Sequence, residues 1–262
     1  MFARFLQLFL AASLEIPLLA SSTPIARADM NPKLGISYTK PTSLEAAGSP
    51  SSVASWYFNY LPEAIQDAPG SLEFVGMQSG RNGIQQLTDQ VERSGLKTLL
   101  GFYQPEQKNN NYLDPRQATE LWTQYMLPLR SQKGIRLGAP VNFNCDLKWL
   151  QEFNNMCRDC FDFVPVIWFG TEVSELVQCT RRAQSLFGHP VWVIEFASLS
   201  EDAIEVSSFM SGALKALDGL DYVERYAWFA YGTSENIGWD SGLINEDASL
   251  NSLGQQYING GQ

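Results

Sequence analysis

Eight short apolar runs, rich in β-branched and aromatic residues, constrain the fold of this chain more than any other feature of its sequence. In chain order they are LGISYT, WYFNY, EFVGMQ, TLLGFY, RLGAPV, FDFVPVIWFG, VWVIEFA and RYAWFAYG. Each run is mostly continuous in apolarity, which is typical of parallel strands buried on both faces. Helical patterns separate the later runs, so the sequence predicts an α/β fold, a (β/α)₈ TIM barrel in a single domain.

The alternative architecture is a doubly wound open sheet, which is less favoured because no glycine-rich phosphate loop opens any helix. Two helical segments carry clear boundary signals. The segment NGIQQLTDQVERSG ends at Gly95, and DPRQATELWTQYMLPL begins with Asp114 as N-cap and Pro115 at the first helical position.

The first residues have the pattern of a secretory signal peptide. Arg4 supplies the charge, FLQLFLAASL the apolar stretch, and Ala26-Arg27-Ala28 the cleavage site. We expect residues 1–28 to be a signal peptide and residues 29–262 the barrel domain. A cut after Ala20 and a buried N-terminal helix are the alternatives. The prediction is a secreted protein, extracellular or in the cell wall.

The acidic composition limits the classes of partner. The formal net charge of −10 disfavours nucleic acid and anionic membranes, whereas a neutral sugar is indifferent to it. We therefore expect no nucleic-acid partner and no membrane association, and we expect a monomer.

Four cysteines, Cys145, Cys157, Cys160 and Cys179, predict two structural disulfides, for which the sequence allows three pairings. The Cys157-x-x-Cys160 spacing could also belong to a metal or redox site. Such a site needs further ligands, and the chain has a single histidine, His189. We expect no metal and no cofactor.

The active sites of barrel enzymes lie at the carboxyl ends of the strands, and two of these ends carry candidate catalytic residues here. Glu195 closes the seventh run as a lone carboxylate among apolar neighbours, which is costly unless the group is paired or functional. The alternative is a structural glutamate whose carboxylate accepts hydrogen bonds from Arg225 or from backbone donors. Gln104 closes the fourth run. Retaining barrel glycosidases commonly place their two carboxyl groups after the fourth and seventh strands.

The segments GFYQPE, NYLDPRQATELW, LGAPV, CRDCFDFVPVIWFG, PVWVIEFA and RYAWFA together resemble glycoside hydrolase family 128, the secreted β-1,3-glucanases widespread in fungi. The resemblance covers nearly all of residues 29–262. It implies that Glu195 corresponds to the nucleophile and that Gln104 replaces the acid/base glutamate. Tyr103 replaces the asparagine that precedes this glutamate.

Further departures follow from the same resemblance. Ile167 and Phe169 replace the histidine and tyrosine that flank Trp168, and Tyr60 and Ser79 stand where the family often has tryptophans. The polar neighbours that would position or protonate a substrate are therefore largely lost.

Glutamine has no titratable proton, so Gln104 can neither protonate a leaving oxygen nor activate water. General acid–base catalysis of this kind typically raises the rate by about 10²–10⁴-fold. Glu106, Asp240 and Glu246 are the alternative acids. Glu106 is better explained as structural, because Pro105 directs the chain away from the strand end.

Aromatic and amide side chains near the strand ends suit saccharide binding. The candidates for substrate contact are Tyr103, Trp168, Phe169, Trp228, Phe229, Asn59, Tyr60, Gln78 and Tyr112. The alternative is that most of these aromatics belong to the core, which we prefer for Trp122, Trp149 and Trp192. The prediction is a secreted protein that binds β-1,3-glucan or its oligosaccharides and hydrolyses them poorly or not at all. The rival hypotheses are a retaining β-1,3-glucanase with Glu195 as nucleophile and another acid/base, and a purely structural wall protein.

Overall fold

The computed structural model describes residues 29–39, 43–108, 112–237 and 240–261. The predicted signal peptide, residues 1–28, lies outside the described residues. The described part of the chain forms one domain in which parallel strands surround a core and helices cover the outside.

The strands follow the eight predicted runs. They are β1 (Leu34–Tyr38), β2 (Trp56–Phe58), β3 (Glu73–Phe74), β4 (Gly76–Met77), β5 (Thr98–Leu100), β6 (Arg136–Leu137), β7 (Val164–Gly170), β8 (Val191–Ser198) and β9 (Val223–Tyr231). Strands β3 and β4 both come from the third run, EFVGMQ, and only Val75 separates them.

Every strand ladder in the described chain is parallel, and the strands follow each other in the order of a barrel. One sheet has the order β3-β2-β1-β9-β8-β7 and the other β4-β5-β6. The last strand pairs with the first, and a parallel bridge between Gly138 and Phe163 lies at the junction of β6 with β7. This order confirms the predicted barrel class, with its ladders divided between two sheets.

Helices cover the later crossovers. The α-helices are α1 (Leu87–Ser94), α2 (Pro115–Leu121), α3 (Leu127–Lys133), α4 (Lys148–Met156), α5 (Val173–Phe187), α6 (Ala203–Asp218), α7 (Ser234–Ile237) and α8 (Ser252–Ile258). The predicted boundary signals are confirmed: the Asp114 side chain accepts from the Gln117 amide, and Gly95 ends α1 with a φ of 61°.

A stack of aromatic rings fills the amino-terminal half of the barrel. Trp192 stacks on Phe163 with ring centroids 4.1 Å apart and lies 5.4 Å from Trp56. Gly35 makes room for this stack, because a Cβ atom there would come within 2.1 Å of the Trp56 ring. Trp192 is in the core, as expected, and so are Trp122 and Trp149, whose indole nitrogens donate to backbone carbonyls.

The cysteines form two disulfides, Cys145–Cys179 and Cys157–Cys160. The expectation of structural bridges is confirmed, and the structure selects one of the three pairings. Because Cys157 and Cys160 are joined to each other, they are not thiolate ligands. The first bridge ties the segment after β6 to α5.

In the described ranges, no helix combines the length and apolarity needed to span a bilayer.

Candidate functional site

Glu195 lies on β8 with 1% of its surface exposed, and two tyrosine hydroxyls donate hydrogen bonds to its carboxylate. The Tyr60 hydroxyl donates to Oε1 at 2.8 Å, and the Tyr103 hydroxyl donates to Oε2 at 3.0 Å. The Ser37 hydroxyl lies 2.9 Å from the Tyr60 oxygen. Since the Tyr60 proton points to Glu195, Ser37 is the donor of this contact. We call Tyr60 and Tyr103 on Glu195 the tyrosine clamp.

The barrel topology brings these residues together from four strand ends. Ser37 is on β1, Tyr60 follows β2, Tyr103 follows β5 and Glu195 is on β8. The two tyrosine rings meet edge to face, with centroids 5.3 Å apart. Tyr60 has a φ of 62°, a conformation that is uncommon for an aromatic residue and that persists only when its surroundings hold it.

Burial dominates the electrostatics of the site. It raises the pKa of Glu195 to about 7, against the opposing effect of the hydrogen bonds from Tyr60 and Tyr103. The pKa values of Tyr60 and Tyr103 are raised by burial first and by the negative charge of Glu195 second. Both hydroxyls therefore remain protonated donors, while Glu195 exchanges its proton near neutral pH.

The carboxylate of Glu195 is satisfied by Tyr60 and Tyr103 and not by Arg225. The Arg225 guanidinium pairs with Glu73 and lies 4.6 Å from the Trp192 ring, among the aromatic rings at the amino-terminal half of the barrel. Ser37 was not among the sequence candidates. The available signal was a small hydroxyl residue at the end of the first apolar run, beside Tyr38.

Gln104 lies at the same barrel end, next to Tyr103, and is half-buried. It has a φ of 47°, and its backbone amide donates to the Val141 carbonyl at 2.8 Å. Its side-chain amide makes no hydrogen bond with the described residues, whereas the carboxylate of Glu195 accepts one hydrogen bond at each oxygen.

Glu106 braces the loop after β5. Its Oε2 accepts from Asn142 Nδ2 at 2.7 Å, and its Oε1 accepts from the Phe143 amide at 2.7 Å. These two bonds support the expectation that Glu106 is structural. Asp240 and Glu246 are exposed.

Trp168 and Trp228 pack against helix α6. The Trp168 ring, 5% exposed, stacks on Phe209 at 5.7 Å, and the fully buried Trp228 lies 6.1 Å from the same ring. Trp228 Nε1 donates to the Ser241 carbonyl. Both tryptophans pair in register with Phe196, which follows Glu195 on β8. The structure therefore does not place the two indoles on the face of Glu195, because consecutive strand residues point to opposite faces.

Three phenylalanines gather at the strand ends. The rings of Phe169 and Phe229 are 5.5 Å apart, and Phe143 lies 6.1 Å from Phe169. We call these residues the phenylalanine cluster. Phe143 is 40% exposed and was not among the sequence candidates. Its signal is an aromatic residue shortly after the fifth apolar run.

Two of the remaining candidates, Gln78 and Asn59, make hydrogen bonds within their own loops. The buried Gln78 amide donates to the Gly80 carbonyl at 2.6 Å, and Asn59 donates to the Glu63 carbonyl at 2.9 Å. Tyr112 is 41% exposed. Within the described ranges, no group of three or more His, Cys, Asp and Glu side chains could hold a metal ion.

Comparisons with known proteins give the family. The family model described as glycosyl hydrolase catalytic core matches residues 35–257. The alkali-sensitive linkage protein 1 of Schizosaccharomyces pombe is 33% identical over 215 residues, which are 78% of this chain and 40% of that protein. The chain thus spans well under half the length of this relative.

Solved structures of β-1,3-glucanases of glycoside hydrolase family 128 share this fold. The endo-β-1,3-glucanase of Amycolatopsis mediterranei in complex with laminaritriose is 27% identical, with a TM-score of 0.75 over 88% of this chain and 100% of that chain. The curdlan-specific exo-β-1,3-glucanase of Blastomyces gilchristii in complex with glucose is 28% identical, with a TM-score of 0.75 over 87% of this chain and 99% of that chain. By sequence and by fold, this chain belongs to glycoside hydrolase family 128.

Proposed function

We propose that this protein is a secreted β-1,3-glucan oligosaccharide-binding protein that hydrolyses its ligand poorly or not at all. The observation that carries the proposal is the tyrosine clamp on Glu195. Glu195 is the residue that corresponds to the family nucleophile, and both of its oxygens already accept hydrogen bonds inside the protein.

A nucleophilic carboxylate must present one oxygen to the anomeric carbon of the sugar. Each oxygen keeps a free lone pair in the clamped arrangement, but the hydrogen bonds from Tyr60 and Tyr103 draw negative charge away from the carboxylate and lower its reactivity. Burial also raises the pKa of Glu195 to about 7, so a large share of the carboxyl groups carries a proton at neutral pH. Both effects weaken Glu195 as a nucleophile.

The second carboxyl group is the other requirement. Retaining glycosidases hold their two carboxyl groups about 5–5.5 Å apart, and the second acts as acid and base. Gln104 stands at the corresponding position and has no proton to transfer. Glu106, the acidic residue nearest to Gln104 in the sequence, is held by Asn142 and the Phe143 amide.

Binding of a glucan is supported by the side chains that remain available. Gln104 offers a free amide beside the clamp, and the phenylalanine cluster offers an apolar surface of which Phe143 is 40% exposed. Sugar rings have apolar faces and a rim of hydroxyls, which match such groups. The similar glucanases were solved with laminaritriose and laminarihexaose, the ligand class that we propose for this chain.

Secretion is supported by the two disulfides, which form and persist mainly in oxidising compartments. The signal-peptide pattern of residues 1–28 is consistent with it.

The test is to titrate the purified protein with laminari-oligosaccharides by calorimetry and to measure reducing ends in the same samples. We expect binding heat without release of reducing ends, and weaker binding by Gln104→Ala. Gln117→Ala, which removes an exposed amide on α2, is the matched control.

Robust turnover that Gln104→Ala leaves intact and Glu195→Gln abolishes would establish the rival function, a retaining glucanase that recruits another acid. Absence of both binding and turnover would leave the purely structural wall protein as the function.

A further inference from the structure

A cavity of about 640 Å³ opens between α5 and the segment that follows β6. We call it the α5 groove and define it by Asn144, Trp168, Gln178, Cys179 and Arg182, which line it. Its volume is within the range of small-molecule sites in proteins. None of the residues of the tyrosine clamp lines it.

One face of α5 forms a wall of the groove. Gln178, Cys179 and Arg182 follow Glu175 at helical spacings of three, four and seven, so the four side chains share a face. The Cys145–Cys179 disulfide fixes this face against the opposite wall. A covalent link therefore joins two walls of the groove.

The polar groups of the groove are available to a ligand. Arg182 is exposed and has no ion-pair partner among the described residues. The Asn144 Oδ1 atom accepts from the Phe169 amide at 2.9 Å, which leaves the two Nδ2 protons of Asn144 to donate elsewhere. Gln178 adds a second amide.

This combination offers both hydrogen-bond donors and acceptors to a polyhydroxylated ligand. Amides, the guanidiniums of Arg181 and Arg182 and the Glu175 carboxylate supply these groups, and Trp168 adds an apolar edge.

The groove adjoins the phenylalanine cluster at Asn144. This residue lines the groove, accepts from the Phe169 amide and directly follows Phe143, whose ring lies 6.1 Å from the Phe169 ring. A ligand that lies on the exposed Phe143 ring would therefore have a wall of the groove as its neighbour.

We infer that the α5 groove binds the outer units of a β-1,3-glucan chain whose first units contact the barrel end near Gln104. This inference rests on the proposed function and adds the prediction that long oligosaccharides bind more tightly than short ones. The gain with length comes from Asn144, Gln178 and Arg182.

The test compares laminaritriose with laminarihexaose by calorimetry in the wild type and in the double variant Gln178→Ala/Arg182→Ala. Both residues are exposed on α5, so the fold should tolerate the change. Loss of two ligand hydrogen bonds should weaken hexaose binding about 10-fold and change triose binding less than about twofold. Gln184→Ala/Arg158→Ala, which removes the same residue types outside the groove, is the control.

Equal losses for both oligosaccharides, or no loss for either, would overturn the role of the groove while leaving the proposed function intact. If the wild type binds neither oligosaccharide, the proposed function fails and this inference fails with it.

Discussion

Replacing Glu195 with glutamine should remove a specific part of the pH dependence of folding. Burial raises the pKa of this carboxyl group from 4.5 to about 7 in the folded protein. Below pH 4.5 the group is protonated in both the folded and the unfolded states. As the pH rises, the unfolded chain releases the proton first, so the free energy of unfolding falls until the folded group also ionises.

The size of this loss in the free energy of unfolding follows from the shift in the pKa of Glu195. Each pKa unit corresponds to about 1.4 kcal/mol, so the raised pKa predicts a loss of about 3 kcal/mol across this interval. Glu195→Gln is neutral at every pH and lacks this contribution. Its altered hydrogen bonds with Tyr60 and Tyr103 add only an offset in stability, since glutamine does not titrate.

The assay is urea denaturation followed by tryptophan fluorescence at a series of pH values, with slopes compared to confirm two-state unfolding. The difference between wild type and Glu195→Gln isolates this group, because the other titrations are shared. Glu152→Gln, on the exposed side of α4, controls for loss of a surface carboxyl group.

We expect wild type to lose stability relative to Glu195→Gln as the pH rises from 4.5 to 7, and the difference to level off above that. A difference that stays constant, or that increases in favour of wild type, would refute the reasoning. It would mean that the hydrogen bonds of the tyrosine clamp outweigh the cost of burying the charge.

Three further predictions concern the clamp, the missing acid and the longer disulfide. Tyr60→Phe should cost about 1–2 kcal/mol and raise the pKa of Glu195, with a larger loss of stability at pH 8 than at pH 5 in urea denaturation; an equal loss would contradict the clamp. Gln104→Glu should restore little release of reducing ends from laminarin, because the hydrogen bonds from Tyr60 and Tyr103 still lower the reactivity of Glu195; strong turnover would show that one carboxyl group suffices. Cys145→Ser/Cys179→Ser, which opens a loop of 34 residues, should lower the free energy of unfolding by about 3–4 kcal/mol, and a smaller loss than on removing the shorter bridge would contradict the loop-closure argument.

The barrel order could be predicted because continuous apolar runs and helical periodicity are local properties of the chain. Runs such as VWVIEFA can be stable only when both faces are covered, which restricts them to a sheet wrapped by helices. The N-cap at Asp114 and the helix end at Gly95 were equally local, since each depends on a side chain or a backbone dihedral within one turn.

The disposition of aromatic side chains was less predictable. Trp168 and Trp228 close apolar runs, as Phe169 and Phe229 do, yet the indoles pack on α6 while the phenyl rings meet at the strand ends. Whether a strand residue faces inward or outward depends on register and on bulges such as those in the pairing of β8 with its neighbours.

The sequence by itself determined the strand order, the helix boundaries, the presence of Glu195 at a strand end and the absence of a titratable proton at Gln104. Only the tertiary structure decided what satisfies that buried carboxylate. Tyr60 and Tyr103 are 135 and 92 residues away from Glu195 along the chain, and nothing local favours them over Arg225. Parallel strands bring their carboxyl ends to one edge whatever their separation in sequence, so contacts across that edge exist only once the barrel has formed.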